Sequence, residues 1–170
     1  MSELQQDLLL PGRGMREYHI YIDGASLGNP GRSGAGMVAF DEHGEEVWRE
    51  AVYLGEMTNN MAEYEALVRA LRRAGNARVD AVSVYTDSLL VASQVLGKYR
   101  VKNERLKPYL EEARRLMRAL GHASVKYIPR EGNRIADKLA KNAASGMGVD
   151  VRSRDGCPEE SPGIAGQDGP

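Results

Sequence analysis

Between residues 18 and 53 the chain carries three β-forming runs joined by short connections, and from Met61 onward its apolar period changes. Residues 18–23 (YHIYID), 34–40 (GAGMVAF) and 46–53 (EVWREAVY) are rich in residues that suit a pleated, half-buried surface. Glu42-His43-Gly44 supplies a turn between the second and third, which predicts an antiparallel meander. Met61, Tyr64, Leu67, Val68 and Leu71 then recur at helical spacing, with Thr58, Asn59 or Asn60 as the cap and Gly75-Asn76 as the stop. Residues 81–86 (AVSVYT) form a largely apolar strand, as expected at a sheet centre. A short helix near residues 89–96 follows, then a longer one from about Glu104 or, given Pro108, from nearer Lys107, to Leu120. Residues 125–128 make a fifth strand, and Ile135, Leu139, Ala140 and Ala143 mark a last helix.

The order β-β-β-α-β-α-α-β-α predicts an α/β fold: a five-stranded mixed sheet, three strands antiparallel and two parallel, flanked by helices. Strands joined through a helix run parallel with a right-handed crossover. Such sheets bind ligands beyond the carboxyl ends of their central strands. A chain of 170 residues is long enough for one domain with a proper core. Its boundaries are expected at about 16–145, with residues 1–15 a flexible extension. Residues 146–170, with six glycines, three prolines and few large apolar side chains, are expected to be a disordered tail. The first residues, MSELQQDLLLPGRG, lack the basic and apolar regions of a signal peptide, and no stretch approaches the ~20 apolar residues of a membrane span. The single cysteine, Cys157, cannot form an internal disulfide, which fits a reducing cytoplasm. No protein partner is evident, and a monomer is expected.

Net charge is only -1, which by itself argues against a polyanionic partner. The charge is unevenly placed, however. Residues 98–118 hold eight basic side chains against three acidic, and residues 126–141 hold five against two. A phosphate-facing surface needs local positive charge rather than a basic chain. A solvated helix face bearing both signs is the competing explanation.

Four carboxylates stand at positions where chemistry is possible. Asp23 and Asp87 each close a β-forming run, and two neighbouring strands that both end in Asp set two carboxylates side by side. Like charges that close are costly unless a cation lies between them. Glu63 falls in the first turn of its helix, in phase with Ala66 and Leu67 near the buried stripe. Asp137 lies in the last helix between Arg134 and Lys141. Each has a plainer explanation: a turn before Gly24, an N-cap beside Ser88, a macrodipole contact, an i,i+4 surface pair with Lys141. Together they supply hard oxygen ligands of the kind Mg²⁺ prefers. No His/Cys cluster suggests zinc, and no Walker-type loop or GxSxG is present.

The surroundings of these four residues resemble those of type I ribonuclease H. Asp23-Gly24-Ala25-Ser26-Leu27-Gly28-Asn29-Pro30-Gly31 is similar to that family's first signature, and Thr58-Asn59-Asn60-Met61-Ala62-Glu63 to its second. Thr86-Asp87-Ser88 resembles the third, and Glu131-Gly132-Asn133-Arg134-Ile135-Ala136-Asp137 the fourth. The resemblance implies a metal-dependent endonuclease that cuts the RNA strand of RNA–DNA hybrids, leaving 3′-hydroxyl and 5′-phosphate ends, and so removes RNA primers and R-loops. It implies two Mg²⁺ or Mn²⁺ ions held by Asp23, Glu63, Asp87 and Asp137. It further implies substrate contacts at Gly24, Asn29, Asn59, Asn60, Ser88 and Asn133, where backbone and amide groups read 2′-hydroxyls.

Three departures accompany it. Many bacterial members carry a histidine in the loop before the last helix; here that stretch is Pro129-Arg130-Glu131-Gly132-Asn133-Arg134, where Arg130 or Glu131 would have to substitute. Those members also carry a basic protrusion with several tryptophans, replaced here by the short Gly97-Lys98-Tyr99-Arg100-Val101-Lys102-Asn103. Lys98, Arg100 and Lys102 are expected to do its work, with weaker hybrid affinity. No separate hybrid-binding domain is evident. The chain thus looks like the subgroup that lacks both protrusion and histidine. Two further function classes stay open on sequence: a non-catalytic nucleic-acid-binding module, and a related nuclease for double-stranded RNA or DNA junctions.

Overall fold

A computed structural model describes residues 14–147 and 152–153. The expected extension at 1–15 and tail at 146–170 therefore lie largely outside the described residues. The elements are β1 Glu17–Ser26, β2 Gly31–Phe40, β3 Glu46–Met57, α1 Asn59–Ala77, β4 Ala81–Thr86, α2 Leu89–Val95, α3 Lys107–Leu120, β5 Ala123–Tyr127 and α4 Arg134–Ala144. A two-residue strand, β6 Arg152–Ser153, pairs with Trp48 and Arg49 at the edge of β3. The sheet order is β5-β4-β1-β2-β3-β6. Strands β1, β2 and β3 are antiparallel neighbours, whereas β1–β4 and β4–β5 are parallel. The expected five-stranded mixed sheet is present, with the short sixth strand as an addition.

Strand alternation divides β1 between two layers. Tyr18, Ile20 and Ile22 are buried in the large core with Ala66, Leu67, Ala70 and Leu71 of α1. His19, Tyr21 and Asp23 face the other side, where α4 lies. Pairs in the β1–β2 ladder share a face, so Asp23↔Gly36 and Ala25↔Gly34 bring two glycines under α4. A Cβ on Gly36 would fall 2.3 Å from the Ala136 carbonyl oxygen, and one on Gly34 2.5 Å from that of Ala140. This side of the sheet therefore holds its helix by backbone contact, with a small cluster of Ala51, Leu139 and Ala143 beside it. Such closeness fixes where Asp137 can reach.

Several boundaries differ from the sequence expectation. Helix α1 runs through Gly75-Asn76 to Ala77 and stops at Arg78, whose φ of 54° is left-handed and whose N–H bonds to Gly75 O. The burial of Ala74 and Ala77 carries the helix past the glycine. Strands β1 and β3 extend to Ser26 and Met57, because the β1–β2–β3 ladders continue to the loop of residues 27–30. Helix α3 begins at Lys107, the later of the two expected starts, with Pro108 in its first turn. Among the described residues, no helix is long and apolar enough to cross a membrane.

Candidate active site

Register brings Asp23 and Asp87 together. In the parallel β1–β4 ladder Ile22 lies opposite Thr86, so the next residue of each strand is a carboxylate at the same end of the sheet. Glu63 enters from α1. With Thr58 as the N-cap, its hydroxyl accepting from Met61 N, Glu63 is the fifth helical residue and not in the first turn as expected from sequence. The macrodipole explanation for it loses force, since that effect fades beyond the first turn. Its depth is explained by Gly24, which lets β1 and α1 touch. The Gly24 backbone favours the ionised Glu63 carboxylate and partly offsets the effect of its burial.

Carboxylate oxygens of Asp23, Glu63 and Asp87 all lie within 4.8 Å of one another. Asp137 stands outside that trio but near enough to Asp23 to help raise the Asp23 carboxyl. It also accepts from Lys141 Nζ at 3.0 Å, so the surface pair expected from i,i+4 spacing is present as well. Asp23 and Glu63 are each 4% exposed, which makes their mutual approach expensive. Burial first, then the neighbouring Asp87 charge, pushes the Asp23 carboxyl up to about 7. Burial and then the Asp23 charge raise Glu63 well above the ordinary carboxylate range. Glu63 Oε2 is buried with no hydrogen-bond partner. A buried cluster of acids with an orphaned acceptor is short of positive charge, and a divalent cation with oxygen preference fits that lack.

The remaining candidates fall into three groups. The loop that joins β1 to β2 leans on the start of α1: Asn29 Oδ1 accepts from Asn59 N at 3.2 Å, and the Ser26 and Ser33 hydroxyls both donate to Met57 O. The Asn29–Pro30 bond in this loop is cis. Asn29 and Asn59 are exposed, and Asn60 is half-buried. At the second junction, Ser88 caps α2 by accepting from Val91 N, while its own N–H donates to Thr86 Oγ1. Lys102 is exposed in the connection between α2 and α3, which spans residues 96–106 with no helix. Asn133 is buried, and its Nδ2 donates to Ile22 O and to Asp87 Oδ2, leaving no side-chain surface for a substrate. Arg130 and Glu131 are exposed on a single 3₁₀ turn. Glu131 borders a cleft of about 620 Å³ over His19, Tyr21, Val38 and Phe40.

Sequence reasoning missed Gly34, Gly36 and Thr86. The glycines had a readable sign, since glycine inside a strand often marks close approach of another backbone. Thr86, fully buried, orients the Asp87–Ser88 turn through its hydroxyl.

Residues 21–143 match the family described as reverse transcriptase-like. The chain is 38% identical over 133 residues to a ribonuclease HI of Halobacterium salinarum, covering 78% of this chain and 66% of the relative. It thus spans about two thirds of that protein's length. The crystal structure of RNase H1 from the same archaeon superposes with a TM-score of 0.74 at 35% identity, covering 77% of this chain and 99% of that one. LC11-RNase H1, solved in complex with an RNA/DNA hybrid, gives a TM-score of 0.72 at 39% identity, covering 76% and 97%. With the fold, the four carboxylates and these likenesses in agreement, the chain belongs to the type 1 ribonuclease H family.

Proposed function

We propose that this chain hydrolyses the RNA strand of RNA–DNA hybrids with the help of two divalent ions, Mg²⁺ or Mn²⁺. The observation that carries this reading is the trio of buried Asp23, buried Glu63 and half-buried Asp87, within 4.8 Å of one another, with Asp137 near Asp23. A site that bound polyanions without metal would gain nothing from such a cluster, which speaks against a binding module. Asp23, central among the four, would be shared between two ions. Glu63 and Asp87 would help hold one ion, and Asp137 would help hold the other. Bound there, the ions supply an activated water and neutralise charge on the leaving 3′-oxygen, giving 3′-hydroxyl and 5′-phosphate ends.

The protein's own part is to hold and to select. Gly24 and Thr86 set the angles at which Glu63 and Asp87 present their oxygens. Asn29, Asn59 and Asn60 form a polar ledge suited to backbone and 2′-hydroxyl contacts, and Ser88 continues it beside the carboxylates, whereas Gly24 is buried against α1. Recognition of this kind reads shape and sugar rather than base sequence. Lys98, Arg100 and Lys102 offer charge for the second strand. LC11-RNase H1 was solved with an RNA/DNA hybrid, and its likeness to this chain supports the same class of substrate here. Removal of primers and R-loops by a cytoplasmic monomer is the role that follows.

The test is direct. The full chain is incubated with labelled RNA–DNA hybrid, single-stranded RNA, double-stranded RNA and duplex DNA, in Mg²⁺, Mn²⁺ or EDTA. Metal-dependent loss of the hybrid's RNA strand alone is the expected result. Binding without cleavage in either metal would sink the reading, and preferential cutting of double-stranded RNA would redirect it.

A further inference from the structure

Asn133 touches three of the elements that carry the carboxylates. Its Nδ2 donates to the backbone oxygen of Ile22 at 2.8 Å, one residue before Asp23, and to Asp87 Oδ2 at 3.3 Å. Its own backbone oxygen accepts from Asp137 N at 3.1 Å. The side chain is 1% exposed, and its Oδ1 is buried with no partner. The two acceptors on Nδ2 fix the amide's orientation. A flipped amide would set its oxygen against a carbonyl and a carboxylate, three acceptors with no proton between them.

The residue stands at the N-cap of α4, yet its side chain makes no capping bond to that helix. Asn is favoured there because its oxygen usually accepts from the second or third helical N–H. Here that contribution is forgone, and the donors are directed to β1 and to Asp87 instead. A carboxylate tied through one oxygen is restrained about its Cβ–Cγ bond, and its free lone pairs stay available for a cation. The bond to Asp87 is also charge-assisted, hence stronger than one between neutral groups.

We infer that Asn133 is a positioning residue for the Asp87 carboxylate, locking it to β1 and α4, and is not a contact for the nucleic acid. This rests on the reading of the carboxylates as ligands of divalent ions. Support of this type governs how well a site is preorganised for metal, so its loss appears in metal affinity before it appears in substrate affinity.

Calorimetric titration of the full chain with Mn²⁺, alongside hybrid-cleavage kinetics, tests it with Asn133→Ala and the similarly sized, donor-free Asn133→Leu. Both variants are expected to weaken Mn²⁺ binding about 10- to 100-fold and to lower kcat, with KM for the hybrid changed less than about twofold. A raised KM with unchanged Mn²⁺ affinity would make Asn133 a substrate contact. A lowered melting temperature with Mn²⁺ affinity and kcat intact would make it merely structural. Either result overturns the inference. Should neither variant fold, the wild-type chain labelled with ¹⁵N decides: the Asn133 side-chain amide signals should shift on Mg²⁺ titration and not on adding hybrid without metal, and the reverse pattern refutes it. Failure of the wild-type chain to bind Mn²⁺ at all would instead remove the metal reading beneath it.

Discussion

Gly24 and Glu63 are in backbone contact: a Cβ added to Gly24 would lie 2.3 Å from the Glu63 nitrogen. The same atom would lie 2.3 Å from the Ala62 carbonyl carbon, and backbone cannot yield as a flexible side chain does. Gly24→Ala must therefore push α1 away from β1. Overpacking of this kind costs about 1–3 kcal/mol, readable as a lower melting temperature. Cleavage should fall by roughly 100-fold, more than the stability loss accounts for, because Glu63 moves with its helix. A fully active Gly24→Ala would show that Glu63 has no fixed position to lose.

Asp23 connects stability to pH. Its carboxyl, ordinarily near 3.8, is held at about 7 in the folded chain, so the folded state binds the proton more tightly than the unfolded state. The stability this confers is complete below about pH 4 and is lost as pH rises through about 7. Metal-free protein should become less stable across that window, and Mg²⁺ should restore stability most at the alkaline end, where no proton competes. Asp23→Asn should flatten the dependence and stabilise the metal-free chain at pH 8 by roughly 2–4 kcal/mol, with cleavage abolished. Denaturant melts at pH 4, 6 and 8, with and without Mg²⁺, check both signs.

Asp137 and Lys141 separate surface pairing from chemistry. Their 3.0 Å contact is an exposed i,i+4 pair, of which the lysine side chain is 58% exposed. Lys141→Ala should change stability by less than about 0.5 kcal/mol and leave Mg²⁺-dependent cleavage in place. Asp137→Asn should abolish or nearly abolish that cleavage with little loss of stability. Equal activity in the two variants would remove Asp137 from the metal set.

The exposed bases between α2 and α3 should act through phosphate. Replacing Lys98, Arg100 and Lys102 together with alanine should raise KM for the hybrid and leave kcat near wild type. The slope of log affinity against log salt should shallow by roughly 0.9 for each phosphate that is no longer neutralised. An unchanged slope would mean that these side chains are simply solvated.

Much of the fold and site is legible in the chain because strands announce their ends. The runs 18–23 and 81–86 stop at Asp, and parallel register does the rest. The sequence places Glu63 in the first turn, a residue or two too early, since the helix start depends on Thr58 capping and three residues offer caps. Asp137 is ambiguous in sequence for a good reason: it serves both Lys141 and Asp23, and only tertiary closeness shows the second. Gly34 and Gly36 signal a close approach by being glycines within a strand, but which backbone approaches is seen only with α4 lying on them. Asn133 resembles a substrate contact by its neighbours in the motif, whereas its burial turns it inward.

The seating of α4 on Gly34 and Gly36 also bears on the order in which the chain becomes competent. Asp137 rides on the last helix among the described residues, whereas the trough that receives it is made by residues translated about a hundred positions earlier. Strands β1 to β4, with Asp23, Glu63 and Asp87, leave the ribosome before the fourth carboxylate does. Synthesis thus works as a timer, and the complete cluster comes into being only after α4 has emerged and docked.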